Sequence, residues 1–191
     1  MSSGTLIVIA APSGCGKTTI AKAILKKHPD MLFSISATTR PMREGEVHGK
    51  DYFFLSKEEF EERIRTGDLV EWEEIYGNEY GTLKSEISRA LQQGRVMLFD
   101  VDVKGALSIR RHFPNESLLI FIQPPSFEIL KQRLEHRKTE NPETLKRRLE
   151  RVPMEMEQGR QFDVQVVNDE LQRAIDEVDG IVQQRVKKNQ S

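Results

Sequence analysis

Short, continuous apolar runs alternate with amphipathic stretches along almost the whole chain. Leu6 to Ala10 is apolar and rich in β-branched residues, which predicts a strand buried on both faces of a parallel sheet. From Thr18 the period changes. Ile20, Ala23 and Ile24 fall on one face of a helix that runs to Lys27, and His28-Pro29-Asp30 ends it. Residues 33–55 mix β-prone pieces with turn residues and basic side chains. Ser56, with Glu59 three positions on, predicts a capping box that opens a helix through Ile64. Leu69–Tyr76 reads as a strand, residues 77–82 (GNEYGT) as a tight connection, and Leu83–Gln93 as a helix stopped by Gly94.

Arg95–Asp100 and Leu118–Ile122 are further buried strands, and Pro124-Pro125 breaks the chain before a helix from about Phe127 to Arg137. Asn141-Pro142 supplies an N-cap and a proline at the first helical position. In the basic helix they open, Pro153 is expected to cause a kink or a break. Val164–Val167 is the last strand and Glu170–Lys187 the last helix. Strands in alternation with helices, without repeats or a low-complexity linker, predict a single α/β domain around a parallel sheet.

Composition narrows the function classes. The 191 residues are 37% hydrophobic and 31% charged, enough for a real core. A net charge of −1 removes bulk charge as a driver of nucleic-acid or membrane binding. The first residues carry no basic leader and only a short apolar run, so neither a signal peptide nor a membrane-spanning helix is predicted. The lone cysteine, Cys15, excludes an internal disulfide and favours a cytoplasmic setting.

The first strand and the first helix are joined by Ala11-Pro-Ser-Gly-Cys-Gly-Lys-Thr-Thr19, which matches the phosphate-loop pattern G-x-x-x-x-G-K-[ST] except that alanine stands first. Glycines let successive N–H groups turn toward an anion, Lys17 adds a cation, the Thr18 hydroxyl suits Mg²⁺, and the helix N-terminus favours negative charge. Cys15 reads as a small filler residue. Asp102-Val-Lys-Gly105 fits a GTPase D-x-x-G, but no guanine-reading N-K-x-D follows, so that match is accidental.

A second basic constellation lies in Ser36–Phe54, SATTRPMREGEVHGKDYFF. Arg40, Arg43 and Tyr52 can bind a phosphate through charge-assisted hydrogen bonds, or the two arginines can pair with Glu44 and Glu46. Two anion sites on one chain point to two phosphorylated substrates.

With LVEWEEIYGNEYGT, DVDVKGA, PPSFEILKQRLEHR, RRLE and VVND, in order and over essentially all 191 residues, these motifs make the chain resemble the guanylate kinase family, which moves phosphate from ATP to GMP. Alanine at the first loop position also occurs in bacterial members. The resemblance implies a P-loop NTPase-type parallel-sheet core at about 1–35, 95–125 and 161–191. It also implies a GMP-binding subdomain at about 36–90 and a mobile lid at about 126–160. ATP would be held by Ala11, Pro12, Ser13, Gly14, Cys15, Gly16, Lys17, Thr18 and Thr19, with Asn168 and Asp169 near the adenine and Arg133 reaching the ATP side or the transferring group from the lid region. GMP would be held by Ser36, Glu71, Thr82 and Asp102 at the base, and by Arg40, Arg43, Glu46, Tyr52 and Tyr80 at the phosphate end. Mg²⁺ would lie near Thr18 and Asp100. Lys17, Arg40, Arg43, Arg137 and Arg148 would carry the charge compensation of transfer. dGMP is implied as a second acceptor, and self-association into a homo-oligomer stays open.

Three positions depart from the family pattern: Lys104 stands for a glutamine, Lys138 for a glycine, and Pro153 lies within a helix. Because the acceptor phosphate oxygen is already ionised, no general base is needed, and His48, His112 and His136 read as surface residues. Trp72 reads as packing rather than base stacking. Two other readings are a sugar-phosphate kinase, which needs no Glu71 or Ser36, and a non-catalytic guanylate-kinase-like binding module, which would not keep Lys17 and Thr18.

Overall fold

The computed structural model describes residues 4–75, 77–136 and 142–190. Strand β1 (Thr5–Ala10) leads into helix α1 (Lys17–Lys27), followed by three two-residue strands, β2 (Leu32–Phe33), β3 (Ala37–Thr38) and β4 (Phe53–Phe54). Next come α2 (Lys57–Arg65), β5 (Leu69–Ile75), β6 (Asn78–Leu83), α3 (Lys84–Gln92), β7 (Val96–Asp100), α4 (Val103–His112) and β8 (Ser117–Gln123). The chain closes with α5 (Phe127–Glu135), α6 (Pro142–Gly159), β9 (Val164–Val167) and α7 (Leu171–Gln190).

The main sheet is parallel throughout, in the order β2-β7-β1-β8-β9. Its centre explains the apolar runs. On β1, Ile7 and Ile9 join a cluster with Ile20 and Ile24 of α1 and Val178 of α7, while Leu6, Val8 and Ala10 join Ile87 of α3 and Ile109 of α4. Helices cover both faces, so the strand has no polar side to show. Strand order reverses direction around β1, and the loop after β1 therefore opens at the carboxyl edge of the sheet, where α/β folds form their crevices.

A second sheet, ordered β4-β3-β6-β5, carries its own small core of Ala37, Phe60, Leu69 and Leu83. The capping box predicted for α2 is present: Ser56 Oγ accepts from Glu59 N at 3.1 Å and Glu59 Oε2 accepts from Ser56 N at 2.7 Å. Ser108 Oγ of α4 donates to Val70 O of β5 at 2.6 Å, pinning the second sheet to the first.

Four readings change. Residues 77–82 are not a tight connection, because β6 occupies most of them and pairs antiparallel with β5. Within this stretch Gly81 allows close approach: a Cβ would fall 2.8 Å from Glu71 O. Segment 33–55 resolves into three short strands: β2 and β3 are paired by distant partners, β7 and β6, and β4 pairs with β3. Residues 103–112, given no element from the pattern, form α4, capped by Asp102 Oδ1 accepting from Gly105 N at 2.7 Å. Of the kink or break expected at Pro153, the break does not occur, since α6 runs on to Gly159. Val152, 2% exposed, and Leu149 and Met156 beside it pack into the apolar cores and hold the helix across the missing hydrogen bond.

His48, His112 and His136 are exposed as expected. Trp72 sets its ring edge-on to Phe60 yet remains 47% exposed, so it is packed on one side only. Among the described residues, no helix is long and apolar enough to cross a membrane. Asn141 and Arg137, expected as a cap and a helix end, lie outside the described residues.

Candidate active site

The loop between β1 and α1 is built around an uncapped helix start. Gly16 stands at the N-cap with φ 81°, contributes no side-chain oxygen, and leaves the first-turn N–H groups open toward an anion. Its missing Cβ matters as well: one would meet Asn168 Nδ2 at 2.6 Å. Asn168 is buried behind the loop and donates Nδ2 to Cys15 O at 2.8 Å. Ala11 and Cys15 both point into the apolar core, which is why a methyl group is accommodated at the first loop position.

Lys17 reaches across to β7, forming an ion pair with Asp100 and donating to Val101 O at 2.8 Å. Thr18 and Thr19 are exposed at the head of α1. From α6, Arg148 Nη1 donates to Ser13 Oγ at 2.7 Å, bringing a second cation to the loop. The oxygen donors here are the Thr18 hydroxyl and the Asp100 carboxylate, and no group of three or more His, Cys, Asp or Glu side chains is arranged for a metal among the described residues. That donor set fits Mg²⁺, which keeps several waters and takes one or two carboxylates alongside substrate phosphates.

The loop lines a cavity of about 300 Å³ together with Glu73, Asp102, Arg151 and Glu155. On one side it adjoins a cavity of about 670 Å³ through shared Gly14, Gly16 and Thr19. There Ile129 and Leu171 offer exposed apolar surface, and Arg133 Nη1 donates to Asn168 O at 2.9 Å. Asp169 lies on the same wall and ion-pairs with Arg173. On the other side, Glu73 and Asp102 are shared with a cavity of about 380 Å³ that contains Glu71.

Glu71 stands at that end, half-buried on β5. Burial, first of all, pushes its carboxyl above the usual carboxylate range, with Asp102 and Glu73 adding to the effect, while a 2.6 Å hydrogen bond from Thr82 Oγ1 works against it. Asp102 converges on the same spot, since a Cβ on Gly105 would lie 3.2 Å from Asp102 Oδ1 and 3.6 Å from Glu71 Cδ. Ser36 is half-buried on the neighbouring edge, where its carbonyl accepts from Phe53 N.

Arg40 takes the carboxylate pairing that its sequence context allowed. Its two terminal nitrogens donate to Glu46 at 3.0 and 2.7 Å, and its guanidinium lies 5.4 Å from the Tyr52 ring centre and 5.6 Å from that of Phe54. Glu46, with Arg40 as its principal partner, is held below the usual carboxylate range. Arg43 is exposed and donates its backbone N–H to Glu46 at 2.7 Å. Tyr52 and Tyr80 meet at 6.1 Å between ring centres.

Pattern reading missed Glu73, Arg151 and Glu155 on the loop cavity and the apolar pair Ile129 and Leu171. A signal for two of them exists: Arg148, Arg151 and Glu155 stand at i, i+3 and i+7 on α6, one helical face.

The guanylate kinase family model matches residues 3–185. The chain is 51% identical over 175 residues to the guanylate kinase of Chlorobium luteolum (strain DSM 273 / BCRC 81028 / 2530), covering 92% of this chain and 89% of that protein. It is 50% identical over 178 residues to that of Salinibacter ruber (strain DSM 13855 / M31), covering 93% and 94%. Its fold matches the crystal structure of guanylate kinase from Anaplasma phagocytophilum at TM-score 0.70 and 28% identity, over 96% of this chain and 86% of that one. A phosphate loop with cavities on both sides, and a match of this extent in both sequence and fold, lead to one conclusion: the chain belongs to the guanylate kinase family.

Proposed function

We propose that the protein transfers the γ-phosphoryl group of ATP to GMP, and also to dGMP, giving ADP and GDP or dGDP. The observation that carries this reading is the run of three adjoining cavities, with the phosphate loop in the middle. ATP would place its adenine beside Ile129, Arg133, Asn168 and Asp169, and its phosphates on residues 11–19. GMP would place its base against Glu71, Thr82, Asp102 and Ser36, with its phosphate toward Arg40, Arg43, Tyr52 and Tyr80. In this division, residues 36–90 form the GMP-binding subdomain and 126–160 the lid. Both substrates suit a cytoplasmic setting.

The chemistry asks for charge compensation rather than proton removal. A GMP phosphate oxygen attacks the γ-phosphorus in line, the bond to the bridging oxygen of ADP breaks, and the departing electron pair stays on ADP. Lys17 would leave Asp100 for the migrating phosphoryl group, and Arg148, already at Ser13, would approach from the opposite side. Arg40 would exchange part of its Glu46 pairing for the GMP phosphate, so Glu46 holds the guanidinium ready without occupying all five donors. Bound near Thr18 and Asp100, Mg²⁺ would supply neutralisation of the ATP phosphates. Closure of α6 over both nucleotides would exclude water, the competing acceptor.

A coupled assay of ADP release with GMP, dGMP, AMP and ribose phosphates tests the reading. Rapid turnover with GMP and dGMP alone is expected, and its absence in folded protein saturated with ATP and Mg²⁺ sinks it.

A further inference from the structure

Helix α6 turns Arg148, Arg151 and Glu155 toward the phosphate-loop cavity. Arg148 already has a place beside Ser13. Glu155 is only 7% exposed, an unusual setting for an acid on a helix, and burial pushes its carboxyl above the usual range. Arg151 Nη2 lies 3.6 Å from Glu155 Oε1 and 3.6 Å from Asp102 Oδ2. The other oxygen of Asp102 is fixed by the Gly105 N–H at 2.7 Å. One guanidinium therefore spans from α6 to the acid at the head of α4. At 3.6 Å these are ion pairs rather than tight hydrogen bonds, so the link can lengthen or shorten as α6 moves.

We propose that Arg151, held by Glu155, is a positioning residue that ties Asp102 to α6 and so couples guanine recognition to the placement of Arg148. The inference rests on the reading of Glu71 and Asp102 as the guanine-facing acids. Glu71, Glu73, Asp102 and Glu155 gather where two cavities meet, and Arg151 is the cation in direct contact with two of them. Without it, Asp102 and Glu155 repel each other across the gap between α4 and α6. Asp102 then turns away from the base, and α6 loses its tether on the side where GMP enters. Arg151 and Asp102 are themselves partly exposed, so what sets the arrangement apart from a solvated surface pair of little worth is the buried Glu155 that holds the guanidinium.

Steady-state kinetics on Arg151→Met, Arg151→Lys, Glu155→Gln and the Arg151→Met/Glu155→Gln double variant test this. Arg151→Met is expected to raise KM for GMP at least fivefold, with KM for ATP changed less than twofold and the melting temperature within about 2 °C of wild type. Arg151→Lys, which keeps the charge, should recover most of the loss. Glu155→Gln should move KM for GMP in the same direction by a smaller factor. The double variant should be no worse than Arg151→Met alone, because Glu155 acts through Arg151. Unchanged kinetics in Arg151→Met, an equal rise in both KM values, or losses that multiply in the double variant would each overturn the coupling. If wild type forms no GDP, the underlying functional reading fails before any variant is compared.

Discussion

Glu71 is half-buried, and as the proposed guanine-facing acid it would have to be ionised to accept from the base. Guanine presents two adjacent donors, N1–H and the 2-amino group, and a carboxylate has two oxygens to accept them. Adenine offers a lone pair at N1 and no 2-amine, which leaves a desolvated acceptor unpaired. Glu71→Gln is therefore expected to lower kcat/KM for GMP by on the order of 10²-fold or more, while AMP use changes little. Competition between GMP and AMP over a pH series checks this. Because burial raises the Glu71 carboxyl, its ionised form is lost at a higher pH than for an ordinary carboxylate, and KM for GMP should climb as pH falls through that raised value. The glutamine variant should lack this limb. The sign for stability is opposite. The folded state holds the Glu71 proton more tightly than the unfolded chain, so stability declines as pH rises from the unfolded value toward the folded one. At neutral pH, Glu71→Gln should therefore not lower the melting temperature. Lys17 obeys a different logic. Its charge is used most when the phosphoryl group moves, so Lys17→Met should cut kcat by roughly 10²-fold or more, with a much smaller change in KM for ATP. Retained kcat in a folded variant would make Lys17 a structural partner of Asp100 only.

At the scale of elements, two features can be tested separately. Helix α2 stands on a reciprocal cap between Ser56 and Glu59. Ser56→Ala should cost about 1 kcal/mol, a fall of roughly 2–4 °C in melting temperature for a chain of this size, with KM for ATP untouched. β6 depends on Gly81, where an added methyl would press on Glu71 O and Trp72 Cβ. Gly81→Ala should cost about 1–3 kcal/mol, and unlike the cap variant it should also raise KM for GMP, because the strand it displaces carries Glu71. Equal KM values in the two variants would show that the β5–β6 pairing does not position the site. Most helices and the buried strands were legible, because their periods are written locally; α4 was the helix the pattern did not yield. β6 was not, since its stability comes from pairing with β5 and β3 rather than from its own alternation.

Over the whole molecule, the second sheet keeps a small core of its own, yet Val70 of β5 packs into the main-sheet cluster and its carbonyl accepts from Ser108. On the proposed reading, the GMP phosphate lies on the side of the second sheet. Arg43, exposed on the second sheet's side, should then matter for GMP alone. Arg43→Ala is expected to raise KM for GMP by tenfold or more and KM for ATP by less than twofold. The same split should appear in thermal shifts, with GMP stabilising wild type more than Arg43→Ala at equal concentration. Equal shifts would place Arg43 away from the phosphate.

What the sequence determined by itself is whatever depends on neighbours along the chain: the buried strand before the loop, the loop's glycines, the cap of α2, and the motif order that marks the family. That Ala11 is tolerated could be read from the motif; that its methyl group joins the core is visible only in three dimensions. For Arg40 the sequence left phosphate binding and pairing with Glu44 or Glu46 open, and the structure chose Glu46, while Arg151 and Glu155 were given no role until α6 was set against α4. The division has a physical cause. Hydrogen-bonded periods and backbone conformations are decided within a few residues. The burial of an acid such as Glu71, the partner of a charge and the joining of cavities depend on which distant segments are brought together, and only tertiary packing decides that.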